Sequence, residues 1–145
     1  MTETSANGTH EMRREADTSF ICIVQNGVLD DTGATWMIKT MEELLSATPD
    51  DKLLYVLVDV RKATGMTSGA RKAFVQSSTT DHKAFVAIHG VSFVFGAALQ
   101  LFSKTLSLLV ANCPTLQIAD NETKARAWLL EQKSAHHGRN AKTRT

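Results

Sequence analysis

Hydrophobic and polar positions alternate between two regimes along this chain. Short uninterrupted apolar runs with β-branched residues predict buried strands, and apolar residues repeating every three or four positions predict helices. Leu53-Leu54-Tyr55-Val56-Leu57-Val58 is the most uniform run and ends at Asp59. No position before Asp59 suits a wetted face, so this strand belongs in a parallel sheet covered on both sides. Phe20-Ile21-Cys22-Ile23-Val24, Ala84-Phe85-Val86-Ala87-Ile88 and Thr115-Leu116-Gln117-Ile118-Ala119 predict further strands. Asn26-Gly27 between Val24 and Val28-Leu29 is the strongest short-range hairpin signal, predicting a tight turn and a short second strand.

Between the strands the period changes. Trp36, Met37, Met41, Leu44 and Leu45 recur at helical spacing, with Asp31 or Thr32 as the expected cap and Pro49 just past the end. After Asp59 comes a polar turn holding Gly65 and Gly69, then a helix over residues 68–76 and a polar break at residues 77–81. Residues 92–110 form the most hydrophobic segment, crossed by one polar stripe at Gln100, Ser103, Lys104 and Ser107. A span of the bilayer needs ~20 mostly apolar residues; Gln100 and Lys104 argue against stable membrane insertion. Phe95, Leu99, Phe102 and Leu106 mark its apolar side, a surface for a homodimer or for an apolar ligand. Asp120 and Asn121 are suited to cap a last helix bearing Ala125, Trp128, Leu129 and Leu130.

The order is therefore ββαβαβαβα, an α/β domain with a mostly parallel sheet of about five strands, an opening hairpin and flanking helices. Residues 1–18 are polar and aperiodic and predict a disordered arm, residues 19–132 the domain, and residues 133–145 a disordered basic tail. Sixteen basic and fifteen acidic residues nearly cancel, so no broad field draws nucleic acid to the molecule. The absence of an apolar run at the start predicts a cytoplasmic location. Cys22 and Cys113 share no metal-type spacing and predict buried, reduced thiols.

With the elements in place, the chain resembles the STAS superfamily, specifically its SpoIIAA-like (STAS/SEC14) branch, to which anti-sigma-factor antagonists are related. The residues carrying the likeness are Val56-Leu57-Val58-Asp59 with the turn and helix entry over residues 64–71, and Phe85-Val86-Ala87-Ile88-His89-Gly90 with its long helix. The ending Ala119-Asp120-Asn121-Glu122 through Ala125-Arg126-Ala127-Trp128-Leu129 completes it, since Ala-x-x-Trp-Leu soon after an acidic helix start is common in that branch. The antagonists carry a phosphorylatable serine in an Asp-Ser-x-Gly turn opening the helix after the central strand. Here that turn reads Met66-Thr67-Ser68-Gly69-Ala70, with Thr67 in place of the aspartate and glycine directly after Ser68. The resemblance implies a regulatory protein-interaction module with a protein partner, such as a kinase or an anti-sigma-like regulator, and Ser68 or Thr67 as the switch. The SEC14 side implies the alternative of a small apolar-ligand carrier.

Each candidate also has a structural role. Ser68 or Thr67 caps a helix, and a phosphate there would meet the helix dipole together with Arg61, Lys62, Arg71 and Lys72. Asp59 is suited to bind backbone amides just after its strand; Thr64 lies on the surface between them. No carboxylate pair, convergent histidine set or phosphate loop accompanies these residues, so the expectation is no enzyme, no metal and no cofactor. His10, His82, His89, His136 and His137 are expected to be core or solvated histidines.

Overall fold

The computed structural model describes residues 2–4, 10–46, 53–77, 83–92, 96–97, 100, 104 and 115–143. Among the described residues, six strands form one sheet in chain order: β1 (Thr2–Thr4), β2 (Glu11–Arg14), β3 (Ile21–Leu29), β4 (Leu53–Met66), β5 (Lys83–His89) and β6 (Thr115–Ala119). The β1/β2 and β2/β3 pairs are antiparallel; the pairs joining β3, β4, β5 and β6 are parallel. Helices α1 (Asp31–Ser46), α2 (Ser68–Ser77) and α3 (Glu122–Thr143) complete the described elements. The α/β class, the strand and helix alternation and the flanking helices are as the periodicity predicts.

The sheet is covered on both faces, which explains why its strands lack polar alternation. On one face Ile21, Ile23, Val56, Val58, Val60 and Ile88 pack against Ala34 and Met37 of α1 and Ala70 of α2. On the other, Cys22, Tyr55, Leu57, Phe85 and Ala87 pack against Ala125 and Leu129 of α3. Aromatic rings cross this second face in sequence. Phe20 and Tyr55 have centroids 6.5 Å apart, Tyr55 stacks on Phe85 at 5.6 Å, and Phe85 meets Trp128 of α3 at 6.4 Å. Offset and tilted rings at these separations add to the area they bury.

Four expectations need correction. The opening hairpin does not turn at Asn26-Gly27. Residues 21–29 form a single strand, and Gly27, with φ of 70°, sits at irregularities where the register with β4 shifts. The reversal lies at residues 15–20 instead, where Glu15 N–H donates to Phe20 O and Ser19, at φ 63°, donates to Glu15 O. Second, the N-terminal arm is not disordered throughout: Met12 is buried on the sheet and His10 is wholly buried beside α1. Third, β4 does not turn after Asp59 but runs on to Met66, because β3 continues beside it as far as Leu29. Fourth, the last helix continues from residue 132 to Thr143, through most of the expected basic tail.

Of the apolar segment 92–110, the described residues Gly96, Ala97, Gln100 and Lys104 are helical, and Gln100 and Lys104 are exposed as the polar stripe predicts. Phe95, Leu99, Phe102 and Leu106 lie outside the described residues, as do Cys113 and His82. Among the described residues, no helix is long and apolar enough to cross a membrane.

Candidate protein-interaction site

The carboxyl ends of the central strands carry two polar clusters, one on each face. On the α3 face, Asp59 of β4 lies opposite His89 of β5 in the parallel register. Asp59 Oδ1 accepts the Arg61 backbone N–H at 3.0 Å, and its carboxylate takes the Arg61 guanidinium at 2.8–3.1 Å. That guanidinium holds the Asp59 carboxyl below its usual value. The role expected from sequence, binding a following backbone amide, is thus present on a continuing strand. Buried His89 places Nε2 3.9 Å from Glu122 Oε1, at the start of α3. Asn121 caps α3 by accepting the Lys124 N–H at 2.9 Å.

On the opposite face lies the entry to α2. Thr67, not Ser68, is its cap: Thr67 Oγ1 accepts the Ala70 N–H at 3.1 Å, while its own N–H donates to Leu29 O at 2.9 Å. The same hydroxyl donates to Asp31 Oδ1 at 2.9 Å, tying α2 to the start of α1. Asp31 reaches so close over α2 that a Cβ on Gly69 would collide with its carboxylate. Glycine is therefore required here by close approach. Asp31 is thereby released from the cap role expected of it, and Asp30 caps α1, accepting the Gly33 N–H at 2.8 Å.

The expected site residues divide accordingly. Thr67, Ser68, Arg71 and Lys72 come together at the start of α2, with Ser68, Arg71 and Lys72 exposed. Thr64 is exposed on β4, at the position skipped when the register moves from Gly27 and Ala63 to Val28 and Gly65. Asp59 belongs to the other face. The sequence reading missed the roles of Asp31, His89, Glu122 and the Glu15 pairing with Arg126, because each meets its partner only after the chain folds. Asp31 had a signal, one of two consecutive aspartates before a helix, but not its target. Among the described residues, no three metal-ligating side chains cluster.

No protein-family model and no curated protein matches the chain. Among solved structures, an uncharacterised protein of the DUF3478 family with a SpoIIAA-like fold, from Shewanella loihica PV-4, superimposes with a TM-score of 0.57 at 16% identity. The match covers 81% of this chain and 89% of that one. A second structure, described as Mglu, covers 77% of this chain but 19% of its own at 13% identity, and its TM-score of 0.37 carries no argument. Topology, the two covered faces and this likeness agree that the chain has a SpoIIAA-like fold.

Proposed function

We propose that the chain is a non-catalytic regulatory module of the STAS type that binds a protein partner through the surface at the start of α2. The observation that carries the reading is the division of labour there. Thr67 and Asp31 complete the helix start and fix it against α1, while Ser68, Arg71 and Lys72 stand exposed on the same rigid end. Ser68 is the residue on which a phosphate would act as a switch. Arg71 and Lys72 follow it at i+3 and i+4, where side chains on a helix meet, and the helix dipole favours the added charge. A phosphate on Thr67 would displace the cap and confront Asp31.

Native mass spectrometry of protein purified gently from its host, beside binding assays on variants, tests this. A co-purifying chain whose affinity drops about tenfold with Ser68→Asp or with Arg71→Glu/Lys72→Glu is expected, with circular dichroism melts unchanged. Binding indifferent to all three substitutions would remove the surface from the interaction. A monomer carrying a small apolar ligand would replace the module with a carrier.

A further inference from the structure

The two central strands end at different heights. β4 pairs with β5 only as far as Asp59 and His89, yet continues for seven more residues, to Met66, paired on its other side with β3. Gly90 explains the separation. At φ 83° it occupies the left-handed region that favours glycine, and a Cβ there would strike the backbone and side chain of Arg61. Residues 90–92, directly after β5, thus turn off beside Arg61 instead of pairing with β4.

The consequence is a strand with one edge that no other strand pairs among the described residues. In a parallel sheet, alternate residues direct their N–H and C=O groups to opposite neighbours. Over residues 62–66, the groups facing away from β3 meet no strand among the described residues. The sheet face over this stretch is open as well: among the described residues, a Cβ on Gly65 would touch nothing within 4 Å, and the same holds for Gly27 on the adjoining strand. Thr64 and Lys62 are exposed, and Val28 beside Gly65 is 53% exposed.

We propose that the edge of β4 over residues 62–66 receives an extended, acidic peptide segment of a partner protein as an added strand. An uncovered edge presents backbone donors and acceptors in ladder spacing. Charge selects the occupant. Lys62 lies on the edge strand and Arg71 and Lys72 on the helix that follows, all exposed, while Asp59 offsets Arg61. A second copy pairing edge to edge would bring like charges together, whereas the acidic residues of an alternating acidic and β-branched segment would meet lysine and arginine along the rim and its β-branched residues the exposed Thr64 of β4. The inference rests on the interaction reading above and moves its contact from the helix start onto the neighbouring strand.

Amide exchange followed by NMR on the full chain tests it, with a synthetic peptide of alternating valine and glutamate as the probe. In the free protein, alternate amides within 62–66 should exchange fast. The probe should slow them, Lys62→Glu should weaken binding about tenfold, and a probe with a central proline should lose the protection. Uniformly slow exchange in the free protein would overturn the proposal, since the edge is then already covered. Equal protection by a valine and lysine peptide, or none at about millimolar probe, would overturn it too. Perturbation confined to Ser68, Arg71 and Lys72 would overturn the strand addition and leave the helix-start reading standing. Edge protection together with native-partner binding indifferent to those three residues would do the reverse.

Discussion

Glu15 joins segments far apart in sequence through one carboxylate. It takes the Arg126 guanidinium at 2.6 and 2.9 Å across 111 residues and accepts the Thr18 hydroxyl at 2.8 Å. These bonds, led by Arg126, hold its carboxyl down from the ordinary 4.5 to about 2. A carboxyl depressed on folding contributes stability that is complete above its unfolded value and is lost as pH falls through the folded one. The window therefore runs from about pH 4.5 down to 2. The shift sets a ceiling of ~3 kcal/mol, which partial exposure of both side chains reduces to about 1–2 kcal/mol. Glu15→Gln should lower urea stability by that amount at pH 7, and the gap from wild type should close towards pH 2. His10 acts in a separate window. Burial holds its imidazole below 6.5 against the pull of Asp30, and its Nδ1 accepts the Asn26 N–H at 3.2 Å. Neutral His10 favours the fold fully above pH 6.5, and stability falls as pH drops below that value towards the folded pKa. His10→Asn, which keeps an acceptor but does not titrate, should flatten the wild-type slope between pH 5 and 7, read from urea midpoints.

At the scale of elements, the entry to α2 sets two rules against each other. Glycine in a helix ordinarily costs about 1 kcal/mol relative to alanine, so Gly69→Ala would be expected to stabilise. Here the new Cβ meets the Asp31 carboxylate, and the substitution should destabilise instead. In an Asp31→Ala background the sign should revert to a gain. Thermal melts of the four proteins form the cycle, and additivity within about 0.5 kcal/mol would refute the contact. The elements themselves were largely legible. The apolar runs gave β4, β5 and β6, and helical spacing gave α1, α2 and α3, because burial on two faces leaves continuous hydrophobic strands. Legibility failed where pairing outweighed local preference. Asn26-Gly27 has the chemistry of a hairpin turn, but β4 alongside holds residues 21–29 in one parallel strand. Arg61 to Met66 has the polarity of a turn, but β3 keeps it extended. The cap of α2 was legible in its residue types at Thr67 and Ser68. Which of them caps could not be read, since that depends on Leu29 and Asp31 arriving from elsewhere.

At the scale of the whole molecule, the polar N-terminal arm changes from an ornament to a wall of the core. Nothing in the pattern of residues 1–18 announces this, for only Met12 is apolar among Glu11, Arg13 and Arg14, too few for a period to emerge. Yet β2 covers the edge of β3 over four paired residues, Met12 is 1% exposed, and His10 is fully enclosed and packs near Gly33 of α1. Glu15 then fastens the turn to Arg126, and Lys133 Nζ donates to Thr18 O at 2.7 Å. The arm is thus held by the sheet on one side and by α3 on the other. Removing residues 1–17 deletes a buried methionine, whose truncation alone costs about 2–5 kcal/mol, together with the ion pair. It also leaves Ile21 and Ile23 on an uncovered strand edge. Against a total stability of about 5–15 kcal/mol for a typical domain, the loss is a large share. The truncated chain should show a markedly lower urea midpoint, bind a hydrophobic dye, and associate through the bared edge of β3. A truncated chain that melts with wild type and shows no added association over it in gel filtration would return the arm to the unstructured role its composition suggests. Glu15→Gln beside it separates the causes, since loss of the ion pair alone should lower stability without exposing the β3 edge.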